Sequence, residues 1–520
     1  MDKITYYVDP IDGNDLNDGL SASTPMRRLS RFFTQPLDFG EVHPDKSPIP
    51  YILVQPVDIL LKRGTITDQI VSINRTGTAS AKLKISSYGD GPLPQIYGII
   101  GQAGTGISYT EITRLKFATP IKYQNIGLDW KAVGQNVHVH HCTFTGLMSA
   151  WAFRPPDASA GGHLRDFIIE DNKISDMKST QSHSGGGYQQ GFANLIIRRN
   201  AMKNVGNVND QFDQGLYLHG DSISATIEEN IIQCDGNVGI QCRGGRFNVI
   251  NNLVTKCAFG ITMGSGTDKK ECGGKIVNNV VLYGRDLGVN PISCGIAIAM
   301  TEDGTEVGNN IISHKDGTSA SSSFGALCYG NKEAFEYTSL INANVRRRKS
   351  GNPIVHDNVI CDWSPALVLS ERSEGGFTGN YYLVRENETI LKIVNSSQWS
   401  VTALNRQFVL PEQVAEMCMI NTWWAPNARW QIRMEGWDHS PMIIGNEKAP
   451  ILDPGSTQTA TAYTNLFDVR IETYLRESVG LPNNECTYDR FMDEALKDDG
   501  AAWATAAAFN DWARSRVGLA

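Results

Sequence analysis

The 520-residue sequence predicts an all-β solenoid, and three observations carry that prediction. First, short β-branched runs end in Asn and recur in one frame. FIIEDNKISDM, LIIRRNAMKNV, ATIEENIIQCD, FNVINNLVTKC, GKIVNNVVLYG, TEVGNNIISHK, VHDNVICDW and GGFTGNYYLV place it at Asn172, Asn200, Asn230, Asn252, Asn279, Asn310, Asn358 and Asn380, in steps of 28, 30, 22, 27, 31, 48 and 22 residues. Second, QGLYLHG, VGIQCRGG and FGITMGSG lie between them as alternating strands entered through Gly. Third, helical spacing is missing from this whole stretch. A period of this length with strand chemistry indicates stacked coils, because no coil buries its apolar face alone. The recurring Asn suits a corner between strands, where it tolerates left-handed backbone and its amide can bond the coils above and below.

Taken in order, ITYYVDP reads as a strand. DGNDLNDGLSASTP, residues 12–25, is a turn-rich loop of Asx chemistry; its acids miss the EF-hand spacing at Leu16, which leaves Ca2+ there as the minor expectation. MRRLSRFF has Met26, Leu29 and Phe33 on one side and predicts a short helix over the open first coil. VDILLKRGTI and LKISSYGDGPLPQI complete the N-terminal turns.

The segments YYVDPIDGNDLNDG, TPMRRLSRFF, DILLKRG and GTASAKLKISSYGDG, together with the Asn repeats, resemble the pectate-lyase-like right-handed parallel β-helix superfamily over residues 4–385. That group includes polysaccharide lyases, glycosidases, epimerases and phage tailspike depolymerases. Val57 and Asp58 depart from its frequent Gly-Asp, at a turn. The resemblance implies a scaffold and leaves the reaction open. The right hand of the coil follows from it and from the general crossover preference.

Beyond residue 385 the Asn repeat stops. Trp399, Trp423, Trp424, Trp430 and Trp437 cluster there, as core of a β-rich cap or as a sugar platform. LDPGS reads as a linker, and from Asn465 apolar residues recur at three- and four-residue spacing, with Asp468 and Thr487 as start signals and Pro482 as a break. The expected organisation is residues 1–385 as parallel β-helix with its N-terminal cap, 386–455 as β-rich cap, and 456–520 as a helical segment that covers a coil or meets a partner subunit.

A net charge of −8 argues against nucleic acid as a partner. The ten cysteines form no CxxC pair and read as small buried apolar side chains, as at Cys234 and Cys257 past their corner Asn. No stretch is apolar enough to span a membrane, and MDKITYYVDP enters a strand without a secretory signal. The expected setting is extracellular or a phage virion. Tailspike relatives are trimers, so a homotrimer goes with the virion reading.

Coils aligned by their Gly and corner Asn turn Leu216, Leu218, Ile240 and Cys242 inward. The same parity turns outward Gln189 on one coil, Tyr217 and His219 on the next, and Gln241 and Arg243 on a third. Higher coils show only Thr262, Gly264, Ala297 and Ala299. Two long loops flank the polar coils: STQSHSGGGYQQ brings His183 and Tyr188, and NVGNVNDQFDQ brings Asp210 and Asp213.

Such a set fits β-elimination of an acidic polysaccharide. Arg243, with Gln241 or Gln189, would hold the uronate carboxylate, and Tyr188 and Arg246 are further substrate-binding candidates; His219 and Tyr217 would act as base and acid in either order, and His183 is a further catalytic candidate. The rival is hydrolysis through Asp210 and Asp213, with Asp221 near them. Carboxylates about 5–5.5 Å apart would retain configuration and about 6.5–9.5 Å would invert it. A third possibility is a fibre that binds glycan without chemistry. Weaker candidates are the HVHHC run, His138, His140 and His141, as a metal site or a stacked polar rib. Arg346, Arg347, Arg348 and Lys349 suit an anionic partner, and Glu302 with Asp303 suits Ca2+.

Overall fold

The computed structural model describes residues 2–34, 51–101, 107–156, 164–180, 182–208, 210, 212–264, 272–285, 293–299, 301, 302, 304–313, 327–330, 354–361, 363, 367–370, 376–378, 381–383, 389–394, 430–435, 442–444, 468–517 and 519. Trp399, Trp423, Trp424 and Trp437, the 346–349 basic run, Asp303 and the linker at 452–456 lie outside them. The chain forms two compact units. The first comprises residues 1–207, 212–227 and 496–499; the second comprises 208–211, 228–495 and 500–520.

The first unit is a stack of parallel coils. On one face Ile4–Val8, Val57–Lys62, Leu83–Tyr88, Thr110–Thr113, Val137–His140, Ile168–Glu170 and Leu195–Arg198 pair in succession, all parallel. The register stacks Ile59, Ile85, Ile112, Val139, Ile169 and Ile197 into one column, each fully buried. Each such side chain contributes roughly 1.5–3 kcal/mol. A second face runs through Gln95–Gly101, Ile126–Trp130, Ser149–Phe153, Gly185–Gln189 and Gln214–Leu218. A third runs through Lys116–Phe117, Thr143–Thr145, Lys173–Met177 and Ala201–Val205. Coils with three strand faces and parallel pairing throughout make this a parallel β-helix. The second unit repeats the scheme, with Val249, Ile276, Val307 and Val355 in one inner column.

The corner Asn residues do form ladders, though not by the route expected. The left-handed residue is the one before: Asp171, Arg199, Glu229, Asn251, Asn278, Asn309 and Asp357 have φ between 51° and 61°. The ladder Asn follows it, fully or almost fully buried, and spends its amide on the next coil. In the second unit Asn230, Asn252, Asn279 and Asn310 each donate Nδ2 to the Oδ1 of the next, ending on Asn358, at 2.9–3.0 Å. In the first unit Asn172 donates to Asn200 in the same way, and Asn172 Oδ1 accepts the Cys142 amide.

At the N-terminus Arg31–Thr34 is a short helix, and Met26, Leu29, Phe32 and Phe33 are buried as a cap should be. The acidic loop beside it uses its carboxylates internally. Asp9 accepts the amides of Ile11 and Asp12 and the Lys62 ammonium at 2.6 Å. Asp15 accepts the amides of Arg27 and Arg28 and pairs with the Arg28 guanidinium. Asx turns and an ammonium thus occupy the oxygens that a cation would need.

The C-terminal helices Ile471–Tyr474, Tyr488–Ala495 and Ala506–Val517 pack on the flank of the second unit's coils. The Tyr488 hydroxyl donates to Gln233 Oε1 (3.2 Å) and shares a hydrogen bond with Thr255 Oγ1 (2.6 Å), with the Lys256 ammonium 3.8 Å from its ring centre. Asn510 and Arg514 both donate to Asn251 Oδ1. Thr487 caps its helix through the Arg490 amide, as its position suggested. No helix among the described residues is long and apolar enough to cross a membrane.

Candidate functional site

The wall of the first unit carries the polar cluster. Gly185–Gln189 and Gln214–Leu218 pair so that Tyr188 lies beside Tyr217 and Gln189 beside Leu218. Leu216 and Leu218 are buried, as expected. Gln189 is buried as well, which corrects its expected outward orientation. The error is one of parity. Alignment by the entering Gly sets Gly187 against Gly215, whereas its partner is Leu216. A slip of one residue exchanges the two faces of a strand. Gly187 is Gly for lack of space: a Cβ there would lie 2.2 Å from the indole of buried Trp151. Tyr188 is therefore the outward side chain of its coil.

Tyr188, Tyr217 and His219 form a half-exposed aromatic triangle. Ring centres are 5.3 Å apart for the two tyrosines, 5.8 Å for Tyr217 and His219, and 6.1 Å for Tyr188 and His219. A polar chain backs it. The Tyr188 hydroxyl donates to Gln190 Oε1 (3.2 Å), and Gln190 Nε2 donates to Asp221 Oδ2 (2.8 Å). That same oxygen lies 3.8 Å from His219 Nδ1. The nitrogen is shielded from solvent and makes no hydrogen bond to a described residue. The turn that closes with the Ser222 amide on the His219 carbonyl (3.0 Å) brings Asp221 back to the imidazole. A carboxylate at this position favours the proton on Nδ1 and leaves the Nε2 lone pair for a base. Gln190 and Asp221 in this role were not apparent from sequence, because the turn that joins them to His219 has no spacing signature.

The flanking loops are arranged differently from a pair of catalytic acids. Asp213 is fully buried and accepts four hydrogen bonds: from the amide (2.5 Å) and hydroxyl (2.8 Å) of Ser184, and from the amide (2.6 Å) and Nδ2 (3.0 Å) of Asn207. It ties the two loops together. His183 is exposed, its ring 4.6 Å from that of Phe212. Ligand atoms of His183 and Asp213 lie within 4.8 Å of each other, but the Asp213 oxygens already face N–H and O–H donors, which suits a cation poorly. Asp210 belongs to the second unit.

In the second unit Ile240 and Cys242 are buried and Gln241 is half-exposed, as alternation requires. Gln241 pairs in register with Thr262, and Thr262 with Ala297, so the face does become bland along the stack. Arg243 is half-exposed; Arg246 is exposed and pairs with Glu302 Oε2 at 3.1 Å. Glu302 is thereby engaged by a guanidinium.

The HVHHC run is a polar rib. His138 and His140 stack at 4.1 Å; His138 Nε2 meets Glu170 (2.8 Å) and His140 Nε2 meets Glu111 (3.2 Å). The hydrogen bond from His140, with that from Lys84, holds the Glu111 carboxyl at about 2 against the effect of burial. Burial opposes the charge on Glu170 too, yet Arg198 and His138 bring its carboxyl down to about 2. Burial, with the neighbouring His140, pushes His138 below the usual imidazole range. Seven described cysteines are buried free thiols.

No family model matches the chain. No curated protein matches it either. Among solved structures it is similar to a GH136 lacto-N-biosidase from Eubacterium ramulus, at 13% identity and a TM-score of 0.41, over 83% of this chain and 68% of that one. It is similar to pectate lyase Pel9A at 13% identity and a TM-score of 0.35, over 71% and 77%. A PL6 family alginate lyase mutant, AlyGC, aligns at 11% identity and a TM-score of 0.21, over 73% of each chain.

Proposed function

We propose that the chain cleaves an acidic polysaccharide by β-elimination at the Tyr188, Tyr217 and His219 wall. The observation that carries the reading is the Tyr217–His219 pair on one solvent-side strand face, with Asp221 behind the imidazole. In the reaction His219 Nε2 takes the proton α to the uronate carboxylate. The electron pair forms the ring double bond as the bond to the leaving oxygen breaks, and the Tyr217 hydroxyl protonates that oxygen. Asp221 stabilises the imidazolium that results. A cation must offset the carboxylate charge, and a guanidinium fork suits that group. Tyr188 supplies a face for the sugar ring. The hydrolytic alternative is less well supported, since Asp213 is buried and fully hydrogen-bonded.

The test is incubation with polygalacturonate, alginate and bacterial capsular polysaccharides. Products with the ultraviolet absorbance of a conjugated uronate are expected. Saturated reducing ends without that absorbance would replace elimination by hydrolysis. Activity is expected to persist in excess EDTA if a protein cation offsets the carboxylate; loss on chelation, restored by Ca2+, would assign that task to calcium.

A further inference from the structure

We infer that Phe212 and His183 form a distal sugar-binding subsite, a stacking platform for a glycan ring several units along the chain from the one held at Tyr188, Tyr217 and His219. The inference rests on the proposed polysaccharide function for its ligand class. Its own observations are separate. Phe212 is 53% exposed, and the other strongly exposed large apolar side chains among the described residues are aliphatic. Its ring stands 4.6 Å from the His183 imidazole at a tilt of 48°, so two flat side chains from two loops share one patch.

The patch is held from below. Ser184 follows His183, Asp213 follows Phe212, and these neighbours are joined by two hydrogen bonds to a fully buried carboxylate. Asn207 adds two more. The rings are therefore positioned before a ligand arrives, which reduces the ordering cost of binding. An exposed aromatic pair flanked by hydrogen-bonding loops matches the apolar faces and hydroxyl rims of a pyranose.

The chain places this pair just ahead of the wall's two strands. Gly185 pairs with Gln214 and Tyr188 with Tyr217, and His183 and Phe212 stand five residues before the two tyrosines on the same two coils. Five residues span at most roughly 18 Å, which bounds the backbone separation of the two aromatic pairs. A glycan running along the strand direction would meet both, and a short oligosaccharide would meet only one.

Chain-length dependence is the readout that a merely structural role would not move. The full chain and its Phe212→Ala, Phe212→Trp and His183→Ala variants are titrated with graded oligomers of polygalacturonate and alginate, and turnover is followed in parallel. Melting curves serve as the folding control. The expected result for Phe212→Ala is a roughly three- to tenfold weaker affinity for long oligomers, no change for the shortest, and recovery in Phe212→Trp. Unchanged affinity for long oligomers, or equal losses for short and long, overturns the subsite while leaving the lyase reading in place. A length-dependent loss without any elimination product supports the subsite and sinks the lyase reading. No binding of any oligomer by the full chain overturns both.

Discussion

Asn252 shows how much one side chain carries here. Its Oδ1 accepts both the backbone amide and Nδ2 of Asn230, and its Nδ2 donates to Asn279 Oδ1 and the Ile250 carbonyl. All of this occurs out of contact with water. Asn252→Ala removes the acceptor of the Asn230 backbone amide and one of the acceptors of its Nδ2, which keeps the Glu228 carbonyl; each orphaned buried group costs about 1–3 kcal/mol. We expect the variant to lose about 2–4 kcal/mol in urea unfolding; a loss under 1 kcal/mol would show that the ladder is ornamental. Glu170 is the second residue with a measurable signature. Its carboxyl is held at about 2 in the folded chain against an ordinary 4.5, so the unfolded state binds more protons over that interval. Stability is then fully present above pH 4.5 and is lost as pH falls towards 2, by on the order of 2 kcal/mol for this group. His138, pushed below its ordinary 6.5, works in the same direction: protonating it on acidification favours unfolding. Glu170→Gln should lower the urea midpoint at pH 6 and shrink the difference between pH 6 and pH 3. An unchanged difference would place the acid sensitivity elsewhere.

The strand Gly185–Gln189 decides what the candidate site contains. Three consecutive glycines precede Tyr188, and sequence gives no means of telling which one starts the alternation. On Gln214–Leu218 a single Gly215 precedes Leu216, and there parity was read correctly for Tyr217 and His219. The difference is a packing fact: buried Trp151 needs the volume at Gly187, and an indole 36 residues earlier, on the neighbouring strand, leaves no mark on local spacing. The burial of Asp213 is illegible in the sequence for a related reason. An acid in a loop beside a site looks like a catalyst until its four donors are seen. The corrected parity makes a prediction. Tyr188→Ala should raise KM for the polysaccharide with little change in melting temperature, whereas Gln189→Ala should lower the melting temperature by several degrees, as loss of a buried polar side chain does. His219→Ala and Tyr217→Phe should each cut kcat by about 10²–10⁴ with stability preserved. If Gln189→Ala behaves like Tyr188→Ala, the register of this strand is wrong.

At the scale of the molecule, the fold was legible because it repeats. An Asn that must meet its own kind on the next coil leaves a period in the chain, and so does an Ile column that must stack. The site does not repeat, so it left only residue types. The same one-dimensional construction governs how the structure opens. In a stack, stability is set by each coil and its interfaces with neighbours. The buried thiols report on this. Burial pushes Cys142 and Cys272 up to about 12, and Cys234 is driven up by burial and its neighbour Cys257. A maleimide needs an exposed thiolate, so these sites label only when their coil opens. Asn252→Ala weakens the rungs that carry Asn230 and Asn279. Pulse labelling in mild urea, mapped by peptide, should then show Cys257 and Cys272 reacting sooner than in the parent chain. Cys142, more than a hundred residues earlier and in the first unit, should keep its parent rate. Equal acceleration at Cys142 would mean that the coils open only all together, and the nearest-neighbour account of this chain would have to be given up.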